Sequence, residues 1–355
     1  MLMYNADKMK LLHSGGDFFA LDIGTTAVRV VQLSTSGRDW SLAHYGVAPV
    51  DIKVASSDAP DDQRKLGEVI MTVIGQSGIK ARDVALGIPS NKMFATVVDM
   101  PEMSQAELNA TIKYQAEQYI PMSLDEAKVD WALLGKSPND TTKNEVLLAS
   151  VANSFSESRL DLVEGLGFNV IAIEPDSLAL SRSLLPAGDT GAHLIVEIGD
   201  FTTDIVMTYG DAPRLIRSVP TGMQSLIKVA AQNLNVEPQQ AAQFIMKFGL
   251  QADKLEGQVV RALESTIDQF VAEVTKSVKF FQTRYQSITL SSMIVSNYGV
   301  MIPGLAGYVA EKVGLKAEQG NPWQRVRVST ADQTKLQPLS AQFAVAIGLA
   351  QRGND

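Results

Sequence analysis

The chain has 355 residues, 45% of them hydrophobic and 20% charged, an ordinary globular balance with enough apolar side chain for about two domains. Its net charge of −8, from 31 basic and 39 acidic residues, repels phosphate backbones and argues against nucleic acid as a partner. It has no cysteine, which excludes disulfides, thiolate metal sites and a cysteine nucleophile, and no apolar run reaches the roughly 18 residues of a membrane span.

Residues 1–16 read as a flexible tail, with Leu2, Met3, Met9, Leu11 and Leu12 as the apolar positions of a short amphipathic turn. They lack the pattern of a secretory signal, so the cytoplasm is the expected location. Ordered sequence begins at Phe18, with a strand over 18–23, a turn at 24–26 and a valine-rich returning strand over 27–33. A polar loop over 56–62 precedes a helix over 64–76, where Leu66, Val69, Ile70, Val73 and Ile74 fall at helical spacing. A short strand over 84–88 stops at Pro89, and residues 94–98 read as another strand. Ser104 followed by Glu107 forms a capping box, which starts a helix running to about Tyr119 before Pro121. Strands over 129–134 and 146–151 flank a polar turn, and a helix over 157–166 ends at Gly167.

An internal duplication organises the chain. Asp22-Ile23-Gly24-Thr25-Thr26 has a counterpart in Glu197-Ile198-Gly199-Asp200-Phe201-Thr202-Thr203-Asp204. Each follows an apolar strand and precedes a second one, over 28–33 and 205–209, and the two halves meet within 186–192. The second half adds a long amphipathic helical region over 257–286, open to an interruption, a strand over 293–295 and a helix opened by Pro303-Gly304 and ended by Gly314. The run from Phe343 to Ala350 reads as a buried helix. Strands alternating with helices in both halves make this an α/β protein.

The paired bends carry the chemistry. A carboxylate at a strand end holds Mg²⁺ directly or through its waters, which nominates Asp22 and Glu197. Gly24 and Gly199 permit a tight turn and close approach of a ligand. Successive N–H groups with the hydroxyls of Thr25, Thr26, Thr202 and Thr203 form an anion nest for phosphates. One such bend alone is common hairpin chemistry; two in matching context are not. No P-loop consensus, strand-linked G-x-G-x-x-G, metalloprotease helix motif or nucleophile elbow is present. His13, His44 and His193 are scattered and read as core or surface residues.

These residues resemble the actin-like ATPase superfamily, the bends matching its phosphate-1 and phosphate-2 motifs. Residues 293–305 stand where its adenosine motif falls, and 343–350 match its last connecting helix. Within it the chain is similar to the PilM family of type IV pilus assembly proteins. Ile112-Lys113-Tyr114-Gln115-Ala116-Glu117-Gln118-Tyr119-Ile120-Pro121, followed by Leu124-Asp125-Glu126, resembles the family's signature helix and its exit. Ile173-Glu174-Pro175-Asp176-Ser177 and Lys279-Phe280-Phe281 fit as well, and the similarity runs from about Phe18 to Arg352.

The resemblance implies a duplicated actin-like, ribonuclease H-like fold with two lobes around a nucleotide cleft. Core subdomain 1A would occupy 17–88 and resume over 166–188 and 340–355. An inserted FtsA/PilM-type subdomain, 1C, would span 89–165. Subdomain 2A would span 189–224 and 289–339, and 2B 225–288. It implies ATP with Mg²⁺ as cofactors, held by the bends and by Asn297, Tyr298 and Gly299 of the adenosine segment. It also implies a cytoplasmic scaffold, peripheral to the inner membrane, that binds the N-terminal segment of a PilN-like membrane protein. The matching helix and its exit put Tyr114, Gln118, Tyr119 and Ile120 against that peptide. Pilus motor ATPases and self-association are further partners implied in the same way.

The sequence departs from the superfamily pattern in three places. Glu197 replaces the usual phosphate-2 aspartate. The adenosine segment, Ser296-Asn297-Tyr298-Gly299, keeps only the last of its glycines. Ala242, Gln243 and Ile245 stand where a Glu and a Lys usually reach the ribose and base. Each missing buried contact costs about 1–3 kcal/mol, so the phosphate half is expected to survive while the nucleoside half is degraded. No general base for hydrolysis stands out. Two other readings share the fold: an active ATPase or small-molecule kinase, and an FtsA-like division protein, whose basic membrane helix has no counterpart after Gln351-Arg352-Gly353-Asn354-Asp355.

Overall fold

A computed structural model describes residues 17–36 and 39–352, so the expectation for the 1–16 tail lies outside the described residues. Strands in chain order are β1 Phe18–Ile23, β2 Ala27–Ser36, β3 Asp39–Pro49, β4 Asp83–Ile88, β5 Met93–Pro101, β6 Ala127–Lys136 and β7 Lys143–Ala152. There follow β8 Asn169–Pro175, β9 Ala192–Ile198, β10 Thr203–Tyr209, β11 Ala212–Val219, β12 Ser292–Asn297, β13 Ala317–Gln319 and β14 Val326–Arg327. The chain divides into two compact units: one of residues up to Ser183 with Trp323–Gln337 and the chain from Val345 on, the other of Leu184–Pro322 with Pro338–Ala344.

The first unit is built on a six-stranded sheet of order β14-β3-β2-β1-β4-β8. The β1–β2 and β2–β3 pairs are antiparallel, while β1, β4 and β8 run parallel. The second unit repeats the plan in the order β11-β10-β9-β12-β13, with two antiparallel pairs followed by two parallel ones. The repeat read from two short motifs thus extends to five strands of each sheet.

The first core packs β1, β2 and β4 against the Pro60–Ser77 helix through Leu66, Ile70, Val73 and Ile74, all buried and spaced along one face. Pro60 stands in that helix's first turn, and Gly78, at φ +79°, ends it in the left-handed conformation that glycine adopts without strain. The second core sets β9, β10 and β12 against the helices Met223–Leu234, Pro238–Phe248, Gln258–Arg284 and Leu305–Val313. The long helical region is therefore one continuous helix over Gln258–Arg284, with Leu263, Ile267, Phe270, Val274, Val278 and Phe281 along its buried face.

The insertion is a separate three-stranded sheet, β5-β7-β6, covered by the Gln105–Ala116 helix. The capping box forms: the Ser104 N–H donates to Glu107 Oε2 at 2.8 Å, and the Glu107 N–H to Ser104 Oγ at 3.3 Å. The helix ends at Ala116, short of the expected Tyr119, and turns carry the chain to Ile120. The Asn153–Gly165 helix, placed with the insertion over 89–165, contacts the insertion's β6 and β7 and also β8 and the Pro60–Ser77 helix, and buries Val163 in the first unit's main core. One expected boundary changes. Trp323–Gln337, placed with 289–339 of the second half, joins the first unit, because β14 pairs with β3 at Val326 and Trp40.

Candidate functional site

Both acid bends sit at the carboxyl ends of parallel strands, where open α/β sheets commonly bind ligands. In the first bend the Gly24 N–H donates to Ala27 O at 3.0 Å; in the second the Gly199 N–H donates to Thr202 O at 2.9 Å. The two are the same turn, closed three residues on. A Cβ on Gly24 would lie 2.9 Å from Ala27 O, and one on Gly199 would lie 3.0 Å from Thr202 O. Glycine is required by this close approach, since neither residue takes a positive φ.

What stands opposite each acid differs. In the first bend Asp22 faces Arg29 across the β1–β2 ladder, and the guanidinium Nη1 lies 3.5 Å from Asp22 Oδ2, with both side chains about nine-tenths buried. Burial pushes the Asp22 carboxyl above its ordinary value, and the charge and hydrogen bond of Arg29 only partly oppose it. In the second bend the corresponding pair is Glu197 and Asp204, acid opposite acid. Arg29 and Asp204 were not among the sequence candidates. Their signal was available: a turn closed between positions three apart fixes the partner of each acid seven residues on.

The second bend is held from two sides. The Met223 and Gln224 N–H groups, in the first turn of the Met223–Leu234 helix, donate to Gly199 O at 3.0 Å and Asp200 O at 2.8 Å. From β12, which runs parallel to β9 with Ser296 beside Glu197, the Asn297 amide Nδ2 donates to Glu197 Oε1 at 2.8 Å. The next residue, Tyr298, donates its hydroxyl to Asp200 Oδ1 at 3.1 Å. Gly299 packs against the same strands: a Cβ there would lie 3.3 Å from Val295 Cβ.

Thr25, Thr26 and Thr202 are half-buried at their bends. Thr203 departs from the expectation of a phosphate-facing hydroxyl. It is fully buried and donates to Thr221 O at 2.6 Å, which commits its proton to the fold. Among the described residues no group of three His, Cys, Asp or Glu is placed to hold a metal. The half-buried hydroxyls of Thr25, Thr26 and Thr202 are donors of the kind that meets phosphate oxygens. The bends do not fit a directly coordinated Mg²⁺, because Asp22 is paired with Arg29 and Glu197 is bonded by Asn297.

On the insertion, Tyr114 is 75% exposed and Tyr119 43% exposed, and Gln118 is exposed as well. Ile120 is buried with Leu108, Ile112 and Ala116 in the insertion's own core.

Two sheets of one plan, each bearing the same acid–glycine bend, define a protein of the actin-like fold. The chain belongs to the family of the type IV pilus assembly protein PilM, whose model matches residues 20–354. It is similar to the PilM-PilN type IV pilus biogenesis complex, with 21% identity, 96% of this chain and 99% of that chain covered, and a TM-score of 0.82. It is also similar to the ethanolamine utilization protein EutJ from Carboxydothermus hydrogenoformans, at 15% identity, 94% and 88% coverage and a TM-score of 0.54. MreB5 of Spiroplasma citri bound to ADP matches at 12% identity, 94% coverage of each chain and a TM-score of 0.54. Among the described residues no helix is long and apolar enough to cross a membrane.

Proposed function

We propose that this protein is a cytoplasmic scaffold of a type IV pilus assembly machine, which joins the inner membrane by docking the N-terminal segment of a PilN-like membrane protein. The observation that carries this reading is the exposed pair Tyr114, on the Gln105–Ala116 helix, and Tyr119, just beyond its end, while Leu108, Ile112 and Ala116 of that helix pack into the insertion's own core. Large amphipathic aromatics left in water are typical anchors of a protein interface. Tyr114, Gln118 and Tyr119 contact the peptide, and Ile120 acts from beneath by fixing the turn that carries Tyr119. Family membership and the fold shared with a PilM-PilN complex support the partner class. Co-purification tests it. A tagged PilN-like protein retains the chain when its cytoplasmic N-terminal segment is present; retention of the chain by a partner lacking that segment would refute the docking mode.

We further propose that the bends are nucleotide-phosphate elements. The actin-like fold and the matching place of the two bends at the carboxyl ends of parallel strands support this. Thr25 and Thr26 offer hydroxyls at the first bend and Thr202 at the second, while the Gly24 and Gly199 N–H groups close the turns themselves. A nucleotide bound at either bend would supply anionic phosphate oxygens for the hydroxyls there, with Mg²⁺ held through its waters. The degraded nucleoside half makes ligand-induced stabilisation, rather than turnover, the expected role. Motor ATPases and self-association remain further candidate partners of the scaffold.

A further inference from the structure

Asn297 has three properties that a surface asparagine lacks. Its backbone stands at φ +54°, ψ −128°, a region that glycine enters freely and other residues enter under strain. Its side chain is buried, the residue being 9% exposed, and its Oδ1 makes no hydrogen bond. Its Nδ2 is directed at Glu197 Oε1, 2.8 Å away. The strain and the orphaned oxygen both oppose this arrangement, and the charge-assisted bond to the carboxylate favours it. Tyr298, the next residue, reaches the next acid of the same bend, Asp200.

We propose that Asn297 and Tyr298 form a latch that occupies Glu197 and Asp200 with protein donors in place of the water shell of a nucleotide-bound Mg²⁺. The latch disfavours magnesium nucleotide at the second bend, and ligand enters as those two bonds are exchanged for waters. The chemistry is a competition between donors: an amide N–H and a phenol O–H against magnesium-bound water for the same carboxylate oxygens. The proposal rests on the reading of the second bend as a phosphate element. It adds that two identified side chains weaken nucleotide binding at that bend, and that substitution reverses the effect.

The test is equilibrium binding of Mg-ADP to the full chain, with Mg²⁺ alone as a second probe. The variants are Asn297→Gly, which suits the backbone angle and removes the amide donor from Glu197; Tyr298→Phe, which keeps the ring and removes the phenol donor from Asp200; and the two combined. Each single variant should bind Mg-ADP about tenfold tighter than the parent, the scale of one released hydrogen bond, and the double variant tighter still. The gain should vanish without Mg²⁺ and on Glu197→Ala. Far-UV spectra and melting curves of each variant establish that it is folded. Equal, Glu197-dependent affinity in parent and double variant overturns the latch while keeping the phosphate reading. No binding in any folded variant overturns both.

Discussion

Asp204 stands opposite Glu197 in the β9–β10 ladder at the register position where Arg29 stands opposite Asp22 in β1–β2. The repeat has kept the acid and the turn and inverted the charge beside them. The first bend sets its acid beside a cation, and the second sets two acids side by side, one of them bonded by the Asn297 amide.

The first prediction concerns that inversion. Arg29→Met leaves the buried Asp22 carboxylate without its cation and should cost about 3–5 kcal/mol near neutral pH. The Asp22 carboxyl is raised by burial, so the native state holds its proton more readily than the unfolded chain. Stability tied to this group therefore falls as pH rises from the ordinary aspartate value of about 3.9 through the raised native value, and is recovered on acidification. Urea midpoints of the variant should move back toward the parent's as pH is lowered through that window. A deficit that widens on acidification would contradict the assignment.

The second concerns Glu174, fully buried at the end of β8. Its Oε1 accepts from Arg182 Nη1 at 2.6 Å, its Oε2 accepts from Arg182 Nη2 at 3.1 Å and also from Arg352, and Arg182 Nη1 donates to Gly348 O at 2.7 Å. This carboxylate ties β8 to the Ala344–Ala350 helix and the chain end. Burial is the largest single influence on it and pushes its pKa up, but the two guanidiniums and their hydrogen bonds together bring the net value below the ordinary glutamate range. A lowered acid stabilises the fold above the ordinary value of about 4.3, and that contribution is lost as pH falls through the native value. Glu174→Ala should cost about 3–5 kcal/mol near neutral pH, because it removes the carboxylate that two largely buried guanidiniums share. The gap between parent and Glu174→Gln in chemical denaturation should close on acidification; a gap independent of pH would exclude this origin.

The third separates docking from packing on the insertion. Tyr114→Ala and Tyr119→Ala remove exposed rings and should leave stability within about 0.5 kcal/mol of the parent while weakening peptide binding. Ile120→Ala removes a buried side chain and should cost about 2–5 kcal/mol of stability. Paired melting and peptide-binding measurements check the split, which fails if both tyrosine variants are as destabilised as Ile120→Ala.

Much of the fold was legible because its signals are local. Each bend is a short acid–glycine–hydroxyl run between apolar strands, and the capping box at Ser104 and Glu107 is complete within four consecutive residues. The features without a local signal depend on distant pairing. β14 is two residues long and exists through Trp40 and Ser41 of β3. Arg29 and Asp204 acquire meaning only once the ladders set them opposite the acids. At Asn297 the sequence showed a lost glycine. The retained positive φ, and the side chain's bond to Glu197, became visible only in the backbone angles and the parallel register of β12 on β9.

The most direct measurement is an anisotropy titration of a labelled synthetic peptide, carrying the cytoplasmic N-terminal sequence of a PilN-like protein, with the full chain in the presence and absence of Mg-ADP. Saturable binding is predicted, weakened at least about tenfold when Tyr114 and Tyr119 are both replaced by alanine, as loss of two aromatic anchors requires. An unchanged, unsaturable signal in both conditions would contradict the account.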